Sequence, residues 1–233
     1  MTDTRARQSS GRPAAAMTAH QVTARMRVVF DARLPHARWG PLFHVFCLEQ
    51  PGVRLDWQPT GFPRRDQSLL QGADVGLFLE PPPEAGLRQF TIDASSMVVV
   101  VAAGDRLALN DDLSVADILD CPFPGGPSLD PQWTAFWTLD AQRGGPPNRT
   151  DDDVRSAEDG LEVVAAGRAI ATIPAWVAGG LAHPGVVALP LRDGPQVRTR
   201  LVWNADDGNP TVRSLVDLAT AWTSDGGADP TRP

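Results

Sequence analysis

The side chains best able to do covalent chemistry are few in this chain and poorly spaced for it. His36 and His44 stand eight apart, whereas two histidines gripping a metal from one helix face are four apart. His20 lies in an N-terminal basic segment, and His183 precedes Pro184 in a loop. The sequence has no G-x-S-x-G elbow and no phosphate-binding glycine loop. Cys47 falls on the apolar side of a predicted helix and reads as core. Cys121 sits beside Asp120, an acid that raises its thiol and weakens it as a nucleophile. Two cysteines make neither a disulfide framework nor, alone, a tetrahedral zinc site. Asp151–Asp153 and Asp206-Asp207 read as solvated turns. These residues lead us to expect no enzyme, no metal and no cofactor. Binding chemistry is better represented. Arg33 carries a guanidinium that could pair bidentately with a ligand carboxylate. Asp31, two residues earlier, offers the same guanidinium a simple surface salt bridge.

The positioning elements must come from a 233-residue chain that is 42% hydrophobic and carries a net charge of −7. That composition excludes wholesale disorder, and no run reaches the ~20 apolar residues of a membrane span. Residues 1–26 hold four arginines against one aspartate, a net +3, which leaves −10 on residues 27–233. An acidic body repels a phosphate backbone, so the folded part is a poor nucleic-acid binder. Polar His20 and Gln21 interrupt any signal-peptide core, which makes the cytoplasm with reduced thiols the expected compartment. The sequon at Asn148-Arg149-Thr150 is then irrelevant.

Arg27–Asp31 reads as a buried strand. A helix follows, with apolar residues at 39, 42, 43, 46 and 47, and stops before Pro51-Gly52. Val53–Trp57 alternates as a second strand. Pro63 opens a predicted helix bearing Leu69 and Leu70 that ends at Gly72, and Asp74–Leu79 is a third strand. This β-α-β-α-β order predicts a parallel sheet. Leu87–Ile92 and the wholly hydrophobic Met97–Ala103 follow as strands. Ser114–Leu119 is a short capped helix. Asp130-Pro131 starts a helix that carries Trp133, Phe136 and Trp137 and ends at Gly144-Gly145. Ser156 and Asp159 form a capping-box variant for a helix ending at Gly167. Ala169–Thr172, Val186–Leu189 and Val197–Trp203 are strands. Pro174 starts a short helix through Val177, and Asn209-Pro210 opens the last helix.

The expected class is α/β with two lobes. Lobe I comprises residues 27–102 plus 199–223, lobe II residues 103–198, and residues 1–26 and 224–233 are disordered tails. Two crossings make a hinge, and the cleft between lobes is where a small ligand binds.

The ordered set MVVVVAAGDRLA (97–108), LSVADILDCPF (113–123), VRSAEDGLEVVAAGRAIATIPAWVA (154–178), VVALPL (186–191) and LVW (201–203) resembles the effector-binding domain of LysR-type transcriptional regulators. So does LQGADVGLFLEPP (70–82) near the start. The similarity covers about residues 27–222. It implies a type 2 periplasmic-binding-protein-like fold with two crossover strands, a small-molecule effector in the cleft and a dimer of these domains. It also implies an N-terminal winged helix-turn-helix, for which 26 residues are too few at ~11–12 residues per helix. No direct DNA contact is therefore expected from this chain, and no membrane partner. A homodimer, or a heterodimer with full-length relatives, fits the resemblance. A solitary solute-binding protein outside transcription is the alternative.

Ligand contacts in such a cleft come from loops at strand ends and from helix N-termini. The loops after the first two strands offer Arg33, Thr60 and Phe62; the second lobe offers Ser128, Ser156 and Pro174. Thr60, Ser128 and Ser156 are carried over from the family's effector-contacting loops. Each also has a local use: Ser156 as a helix cap, Thr60 and Ser128 as turn formers. Trp133, Phe136 and Trp137 could wall a pocket, although their spacing equally fits core packing.

Overall fold

The computed structural model describes residues 22–181 and 183–224. Strand β1 (Ala24–Asp31) is followed by helix α1 (His36–Glu49), β2 (Val53–Thr60) and β3 (Val75–Leu79). β1 pairs in parallel with β2 on one side and β3 on the other. β4 (Leu87–Ser95) lies at the far edge of the same sheet. The chain then changes sheets across Ser96. β5 (Met97–Ala102) is buried along its whole length, as an all-apolar run in a sheet centre must be.

Helices α2 (Pro131–Trp137), α3 (Asp140–Arg143) and α4 (Ala157–Ala165) precede β6 (Ala171–Pro174), α5 (Ala175–Ala178) and β7 (Val186–Pro190). β6 and β7 flank β5 in an antiparallel three-stranded sheet. β8 (Val197–Asn204) returns to the first sheet and inserts between β3 and β4, antiparallel to both. α6 (Pro210–Ser224) closes the first lobe, burying Val212, Leu215 and Ala219. The first sheet thus reads β2-β1-β3-β8-β4, the second β6-β5-β7. This is the two-lobed type 2 periplasmic-binding-protein-like fold, with helices on both sheets.

Several expectations need correction. The expected tail of residues 1–26 is too long, because β1 starts at Ala24 and Met26 is fully buried. Residues 1–21 and 225–233 lie outside the described residues. The lobe boundary at 102 is also misplaced. β5 takes its hydrogen bonds from β6 and β7, so the chain leaves the first sheet at Ser96; it is back by Val197, which pairs with Ser95. No helix forms over 63–72. Leu69 and Leu70 are adjacent rather than three or four apart, and their segment ends on left-handed Gln71 and Gly72. The helix expected from Pro131 to Gly144 breaks at Leu139, itself left-handed at φ 58°. The Ser114–Leu119 helix is a 3-10 turn over Val115–Ile118. Pro174 ends β6 and caps α5 instead of lying inside it. Cys47 is exposed, because α1 is apolar around much of its circumference and position 47 falls on the outer side.

The capping box forms as its sequence requires: Asp159 N donates to Ser156 Oγ, and Ser156 N donates to the Asp159 carboxylate. The carboxylate also accepts from Arg155 N. That backbone bond, then those of Ser156, holds Asp159 below the ordinary aspartate range. The Ser114 hydroxyl does the same for Asp117, and the Thr150 hydroxyl for Asp152. Stability from such groups is fully present above the unfolded value of about 3.9 and is lost as pH falls through the lower folded value. Urea midpoints measured across pH should therefore decline below about pH 4. Asp159→Ala should give a shallower acid decline than the parent.

Candidate functional site

Two glycines of the second lobe shape the site, Gly125 by letting backbone segments approach closely and Gly160 by leaving space. Gly125 N sits 3.4 Å from the Thr150 hydroxyl, and Gly125 O accepts from Val154 N. A Cβ there would lie 2.5 Å from the Thr150 carbonyl oxygen and closer still to that of Asp152. Gly160 stands inside α4 with only Val154 near its missing side chain, at 3.6 Å. The space left by α4, α2 and the end of β6 is a cavity of about 170 Å³.

Its second-lobe walls include Trp133 and Trp137 from α2, Ser156 and Gly160 from α4, and Thr172 and Pro174 from β6. The first lobe contributes Arg33 and Phe62. Four of the six expected contacts, Arg33, Phe62, Ser156 and Pro174, therefore line one cavity. Thr60 and Ser128 do not. Thr60 ends β2, where its hydroxyl accepts from Gln71 Nε2 at 2.9 Å and its carbonyl from Ala32 N. Ser128 is engaged outside the cavity: its carbonyl accepts from Arg65 N at 3.2 Å, and Arg64 Nη1 lies 3.4 Å from its hydroxyl. In both residues the hydroxyl meets a neighbouring side chain and the carbonyl a backbone N–H.

Arg33 is not a free cation. Its Nε donates to Asp31 Oδ1 at 2.8 Å, and its Nη2 bonds the other carboxylate oxygen. One of the two bidentate edges of its guanidinium, Nε with Nη2, is thus occupied. The salt bridge is also no surface pair, since the Asp31 side chain is 3% exposed and that of Arg33 20%. The guanidinium stacks over Phe62, 4.6 Å from the ring centre. Trp133 and Trp137 do both things open to them: each is buried, and each faces the cavity. α2 is held in place at both ends. Asp130 caps it through Gln132 N and Trp133 N, and the Thr172 hydroxyl donates to Trp137 O.

Sequence reasoning missed Thr172 and Gly160. Thr172 reads as an ordinary strand residue, so nothing local marks it. Gly160 carries a legible signal, a glycine inside a well-capped helix, where it costs about 1 kcal/mol against alanine unless the space has a use. Cys121 is partly buried, and burial first, then Asp105, pushes its thiol up. The neighbouring Asp120 adds less than either.

A two-lobed α/β molecule with an apolar cavity walled by both lobes belongs to the class of cleft-binding small-molecule receptors. The family follows directly: a family model described as the LysR substrate binding domain matches residues 19–224, and the chain belongs to that family. It is thus an effector-binding domain of the LysR-type regulators, a regulatory class. Among solved structures, the BenM effector binding domain with its effector benzoate is 19% identical, with a TM-score of 0.65 over 91% of this chain and 97% of that one. Full-length CbnR complexed with target DNA is 18% identical, TM-score 0.63, over 89% of this chain and 73% of that one. The regulatory domain of NMB2055 (MetR), a LysR family regulator from N. meningitidis, is 18% identical, TM-score 0.54, over 87% and 95%. No curated protein matches.

Gly160→Ala should stabilise the protein by about 0.5–1 kcal/mol in urea denaturation, because a methyl fits there and alanine favours the helix. Gly125→Ala should destabilise it by about 1–3 kcal/mol, because two backbone carbonyls would have to move.

Proposed function

We propose that the chain senses a compact, largely apolar effector with one anionic end, bound in the cavity between the lobes. The cavity volume carries this reading. About 170 Å³ is close to the ~150 Å³ apolar cavity that accepts benzene in an engineered protein, and so suits a single ring or a short branched chain. Benzoate, the effector named for the BenM domain, has that size and charge. With the Arg33 guanidinium already paired with Asp31, the anionic end seats at the start of α4. There the helix dipole favours negative charge. Phe62, Trp133 and Trp137 stack on the ring, and Pro174 closes the far wall.

Binding shifts the balance between two arrangements of the lobes, by as much as the ligand's affinity differs between them. The domain passes that shift on as a homodimer, or paired with a full-length relative that touches DNA. Leu48 on the outer side of α1, 67% exposed, is apolar surface available for such pairing. The cytoplasm is the compartment this role requires. No helix among the described residues is long and apolar enough to cross a membrane.

A thermal-shift screen tests the ligand. Single-ring and branched-chain carboxylates should raise the melting temperature, and their amides and alcohols should do so less. A hit at 100 times its dissociation constant corresponds to about 2.7 kcal/mol. Gly160→Leu should stay folded and lose every hit, since its side chain fills the cavity. Hits that survive Gly160→Leu would place the ligand elsewhere, and equal response to amides would remove the anionic end from the proposal. Sedimentation velocity tests the pairing: Leu48→Asp should shift the protein towards monomer, and an unchanged profile would take α1 out of the interface.

A further inference from the structure

The surroundings of Arg33 are those of a receptor for an organic cation. The buried Asp31 carboxylate receives the guanidinium through Nε and Nη2, and its Oδ1 also accepts Arg33 N at 3.0 Å. Three aromatic rings stand around the same guanidinium carbon: Phe62 at 4.6 Å, Trp133 at 5.5 Å and Trp137 at 5.7 Å. A carboxylate flanked by aromatic faces recognises guanidinium and ammonium groups, by charge-assisted hydrogen bonds at the edge and ring attraction at the face. The box is assembled from both lobes. Asp31 ends β1 and Phe62 follows β2 of the first sheet, while Trp133 and Trp137 belong to α2, which rests on β6 of the second.

We propose that Arg33 is an internal ligand: the chain occupies its own cross-lobe cation site and so holds the lobes together with no small molecule bound. Neighbouring contacts cross the cleft in the same place. Trp133 Nε1 donates to Leu79 O at 3.3 Å. Arg64 bridges Leu129 antiparallel, with Asp130 N donating to Pro63 O at 3.0 Å and Arg65 N to Ser128 O at 3.2 Å. The aromatic faces of α2 meet the first lobe through Arg33, and the backbone strap beside it fixes the register. The anion-binding reading of the cavity is not needed for this inference.

Removing the arginine side chain should leave an empty site of known chemistry. Arg33→Ala in the full chain should melt several degrees below the parent and show a larger radius of gyration in small-angle X-ray scattering. Millimolar methylguanidinium chloride should recover both quantities in Arg33→Ala and leave the parent unchanged. Sodium chloride at equal ionic strength, and methylurea as the neutral isostere, should recover neither. Arg33→Lys, with the charge but not the fork, should fall between parent and Arg33→Ala. An Arg33→Ala protein as compact as the parent would overturn the proposal. So would methylguanidinium acting equally on both proteins. If Arg33→Ala gives no folded material, Arg33→Gln carries the test, because it removes the charge and keeps a polar side chain with an apolar stem. Expansion of that variant supports the internal ligand, and an unchanged radius overturns it.

Discussion

β8 pairs along its length with β3 on one side and β4 on the other, in a sheet whose other members were laid down before residue 96. The first sheet therefore lacks an interior strand until the chain has passed through the whole second lobe and come back. Neither lobe is an independent piece added to the other, and two crossings rather than one connect them. A single crossing would let the lobes swivel freely. Two crossings restrict them to opening and closing about one line, which is what a cleft needs if it is to respond to its contents. The same threading makes many native contacts long-range, so the topology favours slow folding over fast.

That constraint decides where a cavity can survive. Sheet interiors are closed: β3 and β5 are buried at every position, and no ligand fits between strands so tightly packed. The apolar cavity lies where helix ends and loops of the second lobe meet the first. Part of it is kept by Gly160, which lacks a side chain. Around the cavity most polar groups are matched to each other, while Trp137 Nε1 is buried without a hydrogen-bond partner. Asp31 meets Arg33, the Thr172 hydroxyl meets Trp137 O, and Asp159 meets the backbone N–H groups of Arg155 and Ser156. What an incoming molecule meets is mainly hydrocarbon and ring faces, with one helix start and the Trp137 indole as polar features.

The sequence disclosed most where a feature is local. An unbroken Met97–Ala102 run can only be a strand wet on neither face, and Ser156 with Asp159 announces a helix start whatever lies nearby. The 63–72 segment failed for the opposite reason. Its backbone is committed to Ser128 and Asp130, residues more than 60 positions away, and nothing in its own composition records them. The break at Leu139 is similar: a non-glycine in the left-handed region is held there by its surroundings, not by its side chain. Among the expected contacts, Phe62, Ser156 and Pro174 line the cavity, because loops at strand ends and helix starts are where clefts form. Ser128 satisfied the same rule and was drawn into the strap instead. Arg33 lines the cavity, and of the two partners open to it, a ligand carboxylate and Asp31, the structure pairs it with Asp31. Spacing showed that Asp31 could reach it, but only burial shows that Asp31, at 2% exposure, has nowhere else to go.

A buried carboxylate of that kind explains why the cleft carries an arginine when the proposed ligand needs no such partner. An Asp31 left alone would face the desolvation penalty of an isolated ion, so some cation has to stand beside it. Supplying that cation from two residues along the same chain keeps the pair permanent. Setting its flat face against Phe62 and two tryptophans of the other lobe turns a local need into a contact between lobes. A domain already drawn together in this way gives a small effector little room to act by closure alone. A molecule of about one ring buries too little surface to move two lobes far. It can bias two arrangements that are already close in free energy, which is the condition under which modest differential affinity becomes a signal.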